Sequence, residues 1–157
     1  MSSEAPPRSL EELLSHFDHI AGCDKVDASI AADAWASRFM DHLAKRGLDD
    51  EITALRFLVA TQPFHAKGKK KKDLSKLFKA VVKEFFSSES SSTLVLSNER
   101  LFEAFKEDVS AEEQEKLVAK ARSDPDVWQN GLEPKFMAFL SKQDGKASTM
   151  ACILSIL

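Results

Sequence analysis

The chain has 157 residues, 43% of them apolar and 30% charged, enough apolar residues to bury one core and too many for a disordered chain. Five Gly and five Pro are too few for a β-sandwich or barrel, which needs a turn signal every ~8–12 residues. Lys and Arg number 22 against 25 Asp and Glu, so a formal charge of −3 argues against a dedicated nucleic-acid binder, and the two cysteines, Cys23 and Cys152, make no disulfide framework or zinc set.

Residues 1–8, closing in Ala5-Pro6-Pro7-Arg8, are expected to be a flexible leader, with one domain over 9–145 and an apolar tail over 146–157. Ser9-Leu10-Glu11-Glu12 has the form of a capping box, in which Ser9 accepts a helix amide and Glu12 reaches back to the Ser9 amide. Leu10, Leu13, Leu14 and Phe17 continue at helical spacing to about Ile20, and Gly22 ends the run. Asp27 is expected to cap a second helix, whose stripe of Ile30, Ala34, Phe39 or Trp35, His42 and Leu43 stops at Arg46-Gly47. Asp49, Asp50 and Glu51 open the next, where the macrodipole favours acids. Ile52, Leu55, Phe57, Leu58 and Val59 make it apolar nearly all round, which puts it at the centre of the domain.

Gln62-Pro63 bends or ends that helix, and Lys67-Gly68-Lys69-Lys70-Lys71-Lys72 is expected to be a solvated loop. Asp73 then caps a helix with Leu74, Leu77, Phe78, Val81, Val82, Phe85 and Phe86 on one face. Ser87 to Ser92 is an exposed connection by composition. Thr93-Leu94-Val95-Leu96 has strand propensity but is too short to stand alone, so it is taken as an extended approach to a helix capped by Ser97. That helix would bury Leu101, Phe102 and Phe105. Ser110 to Glu113 is a second capping box, leading through Leu117, Val118 and Ala121. Asp124-Pro125 starts a short turn with Val127 and Trp128, Asn130-Gly131 breaks it, and Glu133-Pro134 opens a last helix through Phe136, Met137, Phe139 and Leu140 to about Gly145. The sum is about seven to nine short helices, an all-α single domain.

Catalytic signatures are missing from the sequence. There is no nucleophile elbow, phosphate-cradling Gly loop or His-Glu-x-x-His. His16 and His19, with Asp18 and Cys23 nearby, fall short of the four closed ligands of a structural zinc site. Asp49, Asp50 and Glu51 in one helical turn could attract a divalent cation, though acids are ordinary there. The chain is therefore expected to be no enzyme and to use no cofactor or metal. Lys67, Lys69, Lys70, Lys71 and Lys72 concentrate positive charge on an acidic chain and would suit an anionic membrane surface or an acidic partner, at roughly 1 kcal/mol per Lys on lipid. Cys152 is sixth from the end, so it makes no CaaX box. The absence of an apolar run of ~18 residues and of a signal-peptide plan leads us to expect a cytoplasmic protein, with a peripheral place at the inner membrane face open to it through the Lys loop.

Taken in order, Leu10-Glu11 with Leu13-Leu14, Phe39-Met40, the buried run Leu55 to Ala60 with Phe64, a basic loop, Leu77-Phe78 with Val82 and Phe85-Phe86, a Ser-rich loop, Leu94, Leu96 and Arg100, Val127-Trp128, and Phe136 with Phe139-Leu140-Ser141 form a familiar succession. It resembles the regulator of G-protein signalling (RGS) homology domain, an all-α fold, over roughly residues 9–142. The resemblance implies binding to the switch regions of a Gα subunit, and a role as GTPase activator in which Gα itself supplies the catalytic groups. It implies contacts from Asp49, Asp50, Glu51, Thr53 and Ala54, from Val95, Ser97 and Asn98, and from Glu133, Lys135 and Ala138. The family's accelerating members carry a Glu-Asn pair where this chain has Thr53 and Ala54, a second Asn where it has Val95, and an Arg where it has Ala138. These departures point to a weak accelerator, or to one that binds without accelerating. The alternative is an all-α adaptor that engages membrane or protein through its Lys loop or apolar tail.

Overall fold

The computed structural model describes residues 7–18, 22–65, 71–87 and 93–142; the leader before Pro7, most of the Lys run, the middle of the Ser-rich stretch and the apolar tail lie outside them. The described residues contain helices and turns and no strand. The helices are α1 (Leu10–Leu14), α2 (Val26–Ala32), α3 (Ala34–Lys45), α4 (Asp49–Ala60), α5 (Gln62–His65), α6 (Lys71–Phe85), α7 (Glu99–Ala104), α8 (Ala111–Arg122) and a last one, α9, over 133–142. Two 3₁₀ turns, Ser15–Phe17 and Cys23–Lys25, link α1 to α2, and a π-helical turn, Trp128–Leu132, feeds α9.

Where the capping chemistry is local, sequence and structure agree. Ser9 Oγ accepts the Glu12 amide at 3.1 Å, and Ser110 Oγ accepts that of Glu113 at 3.3 Å. The first box closes differently from the expectation: the Glu12 carboxylate accepts the Arg8 amide at 3.2 Å. Gly47, at φ 67°, ends α3 in a Schellman motif, with Leu48 N–H donating to the Leu43 carbonyl and Gly47 N–H to that of Ala44, each at 3.1 Å.

Other boundaries move, for tertiary reasons. The helix expected over 27–46 is split at Asp33, whose extended backbone ends α2 and whose Oδ1 accepts the Trp35 and Ala36 amides of α3. Its other oxygen takes His16 Nδ1 at 2.7 Å, tying α3 to the 3₁₀ turn after α1. Asp27 lies inside the first turn of α2 and faces Arg56 of α4. The first helix passes into a 3₁₀ turn after Leu14. Lys71 and Lys72, expected in a loop, open α6, and Asp73 sits in its first turn.

The core surrounds α4, on which Thr53, Ala54, Leu55, Phe57, Leu58, Val59 and Ala60 are all buried. Phenylalanines form two groups against it. Phe39 of α3 packs edge-on to Phe136 at 5.0 Å and beside Phe139 at 5.5 Å, both from α9. Phe57 meets Phe85 and Phe86 edge-on, while Phe86 stacks on Phe105 at 4.0 Å and Phe105 on Phe78 at 5.5 Å. Each buried ring contributes on the order of 2–3 kcal/mol of transfer free energy, so the aromatic content of this chain is spent on packing.

Two arginines cross the core boundary. Arg56 spans Asp27 (2.8 Å) and Glu84 (2.9 Å), joining α2, α4 and α6. Burial works against its charge, but the hydrogen bonds to Asp27 and Glu84 outweigh this and hold the guanidinium above its ordinary value. Arg122 ends α8 and donates to the Leu58 carbonyl and Thr61 Oγ1, each at 2.7 Å, and to Gln62 Oε1 at 2.6 Å. Gln62 Nε2 in turn donates to Asp18 at 2.7 Å. Arg122 thus terminates the carbonyl end of α4, and burial pushes its pKa down to about 10, still charged at neutral pH.

Candidate functional site

Residues 93–98, which lead into α7 without helix or strand, are fixed at both ends. Leu94 is buried, and its amide donates to the Phe85 carbonyl at 2.9 Å. Three residues on, Ser97 presents both its amide (3.0 Å) and its hydroxyl (2.9 Å) to the Asp124 carboxylate. Asp124 is only 4% exposed and also accepts the Asp126 amide at 2.9 Å. A buried carboxylate must have its lone pairs filled, and this one fills them with the chain it fixes. Because Ser97 is committed to Asp124, the cap of α7 is Asn98, whose Oδ1 accepts the Arg100 and Leu101 amides. This corrects the assignment of the cap to Ser97.

The anchoring leaves Val95 pointing outward at 47% exposure, with Ser97 and Asn98 also at the surface. Beside them opens a cleft of about 460 Å³ lined by Asn98, Arg100, Lys120 and Asp124 among others. The expected segment 95–98 and the stretch leading into α9 are therefore brought together through Ser97 and Asp124.

On α9, Glu133 accepts the Trp128 indole N–H at 2.8 Å, Lys135 is half-buried, and Ala138 is exposed. Met137, next to Ala138, is 47% exposed. The break expected at Asn130-Gly131 is absent. The π-helical turn passes straight through, with the Asn130 amide donating to the Pro125 carbonyl and that of Leu132 to Val127. Gly131 is buried, and a Cβ there would collide with the Asp126 carbonyl, so the glycine permits the close approach of two backbone segments.

At the start of α4, Asp49 and Asp50 are exposed and Glu51 is half-exposed. No side chain caps this terminus, so the three acids stand beside open helix amides. Thr53 and Ala54 are placed otherwise: at 4% and 5% exposure they belong to the core, and the Thr53 hydroxyl donates to the Asp49 carbonyl at 3.1 Å. Their side chains offer a partner almost no surface, which corrects their inclusion among contact residues. Among the described residues, no hydrogen bond or ion pair joins Asp49, Asp50 or Glu51 to the Ser97–Asp124 pair.

Other candidates settle into structural roles or fall outside the description. His16 serves the Asp33 contact, while His19 and the tail with Cys152 are not described. Burial, with the Glu84 charge behind it, pushes the Cys23 thiol up to about 11, the opposite of an activated nucleophile. Among the described residues, no three His, Cys, Asp or Glu side chains are grouped to hold a metal ion, and no helix is long and apolar enough to cross a membrane. Of the lysine run, Lys67, Lys69 and Lys70 lie outside the described residues, and Lys72 is exposed at the start of α6.

The sequence does not single out Asp124 and Arg122 as positioning residues, nor Met137 as an exposed apolar one. A signal existed for Arg122, which lies four residues after Val118 on the apolar face of α8. None existed for the Ser97–Asp124 pairing, which spans 27 residues. Comparison of the chain with protein-family models, with curated proteins and with solved structures finds no match in any of the three.

Proposed function

We propose that the chain binds the Gα subunit of a heterotrimeric G protein at its switch regions, as an RGS-like module that accelerates GTP hydrolysis weakly or not at all. One observation carries this reading. The large hydrophobic side chains left exposed among the described residues, Val95 and Met137, fall one each in two segments, 95–98 and 133–138, that the family resemblance nominates for Gα contact. Exposed apolar side chains on rigidly held backbone are the usual centres of protein recognition. The all-α architecture around a buried α4 agrees with the same resemblance.

The chemistry of such a module is positional. A partner that binds the transition-state arrangement of the switches more tightly than the ground state must speed hydrolysis, and one that binds both equally does not. Polar donors aimed at the switches would be needed for that preference. The chain has Val95 and Ala138 at two positions where the accelerating members carry Asn and Arg, and buried Thr53 and Ala54 at the Glu-Asn pair. Apolar contact without those donors supports binding with little discrimination between nucleotide states.

The test is binding to a panel of Gα subunits, each held with GDP, with GDP and aluminium fluoride, or with non-hydrolysable GTP. Binding to the GTP-like form with at most a modest gain in the aluminium fluoride form is expected. A strong preference for the aluminium fluoride form would show that acceleration survives the substitutions. Failure to bind any Gα in any state would sink the reading and move the function to an adaptor role. Changing Lys69–Lys72 to Ser separates the two: it leaves Gα binding intact and abolishes binding to anionic vesicles if the adaptor reading holds.

A further inference from the structure

A second, larger cleft lies on α1, α5, α8 and the π-helical turn, and the Gα reading touches it only at Glu133. Its volume is about 620 Å³, within the range of small-molecule sites. Leu14, Phe64, Val118 and Trp128 give it apolar and aromatic walls. Its charged lining is unequal, with Glu11, Glu115 and Glu133 against Arg122.

The hydrogen bonds make that inequality chemical. Both Nη atoms of Arg122, the cation among the described lining residues, are turned onto the neutral acceptors of Leu58, Thr61 and Gln62, so its donors are occupied while its charge offsets part of the carboxylate charge, Glu11 above all. Glu133 accepts the Trp128 indole, which fixes the ring as a wall. Glu11 and Glu115 have no hydrogen-bond or ion-pair partner among the described side chains. The cleft therefore offers acceptors and negative charge at its polar positions and an aromatic surface elsewhere. An anion would meet three carboxylates, and a neutral apolar body would leave them unused.

We infer that this cleft is a binding site for a small arylalkyl ammonium ion, its ring against Trp128 and Phe64 and its ammonium group hydrogen-bonded to Glu115 and Glu11. Charge-assisted hydrogen bonds to the two carboxylates set the preference for a cation. The test needs no G protein, and the free chain suffices for it.

The probe is 4-phenylbutylamine, with 4-phenylbutanol and 4-phenylbutyrate as neutral and anionic counterparts of one shape. The readout is the indole N–H resonance of Trp128 in a ¹⁵N-labelled chain carrying Trp35→Phe, so that one indole remains. The amine is expected to shift this resonance saturably and to bind at least about five-fold more tightly than the alcohol, with the acid weaker still. Glu115→Gln, a change at a half-exposed position that leaves the unfolding midpoint in place, should remove most of the amine's advantage and leave the alcohol unchanged. Equal binding of all three compounds, or a shift for none of them, would overturn the inference. So would an amine preference that survives Glu11→Gln and Glu115→Gln together. A lysine-containing peptide that shifts Trp128 when the free amine does not would overturn it in favour of a protein partner.

Discussion

Ser97 gives both its amide and its hydroxyl to the buried carboxylate of Asp124, 27 residues further along the chain. This pairing holds the exposed stretch containing Val95 against the end of α8. It also frees Asn98 to cap α7. Removing the carboxylate in Asp124→Ala strands the Ser97 and Asp126 amides and should cost about 2–3 kcal/mol in chemical denaturation. Ser97→Ala should cost about 1 kcal/mol alone and nothing further in the Asp124→Ala background. Additive costs would show that the two residues act separately.

The stack of Phe78, Phe105 and Phe86 predicts a large cavity effect. Phe105 is 1% exposed and contacts rings on both sides. Phe105→Ala should lose about 3–5 kcal/mol, and Phe105→Leu markedly less. A loss under 1 kcal/mol in urea titration would mean that the rings close over the gap.

Gly131→Ala separates propensity from packing. Alanine is favoured over glycine by about 1 kcal/mol in a helix interior, which predicts stabilisation. The collision of a Cβ with the Asp126 carbonyl predicts the reverse, a loss of about 1–3 kcal/mol. The sign of the change in thermal midpoint decides between them.

His42 gives the stability a pH dependence of known sign. Burial, and then the Arg46 and Lys142 charges, depress its pKa below the ordinary 6.5. Arg46 Nη1 stands 3.1 Å from His42 Nδ1, which accepts only when the ring is neutral. As pH falls through 6.5 the unfolded chain takes up the proton first, so the contribution of His42 is whole above 6.5 and is lost as pH drops toward the folded value. His42→Gln should flatten the stability profile between neutral pH and pH 5 relative to the parent. An unchanged slope would remove His42 as its source.

Val95→Asp and Met137→Asp test the surface proposed for Gα. Each side chain is 47% exposed, so folding stability should move by no more than about 0.5 kcal/mol. Gα affinity should fall at least about ten-fold for either, since a charge replaces an apolar contact at a desolvated centre. Full affinity in both variants would displace the contact from these segments.

The sequence by itself determined what depends on neighbours along the chain. Helical spacing of apolar residues gave the all-α class and singled out α4 as the buried helix. Ser9, Ser110 and Gly47 marked helix ends, because a cap is a bond over three or four residues. The same spacing could not show that Asp33 would split one helix into α2 and α3, since an aspartate is equally acceptable on an exposed helix face until His16 and the α3 amides claim it. Nor could it show that Thr53 and Ala54 face inward, because on a helix apolar nearly all round the direction of each side chain is set by what packs against it. The Ser97–Asp124 pairing belongs wholly to the tertiary structure, and so does the identity of the acceptors Leu58, Thr61 and Gln62, although the place of Arg122 on the apolar face of α8 is legible in the spacing. A charged group is stable there only when distant parts of the chain bring it acceptors or donors as they exclude water, and that condition has no local signature.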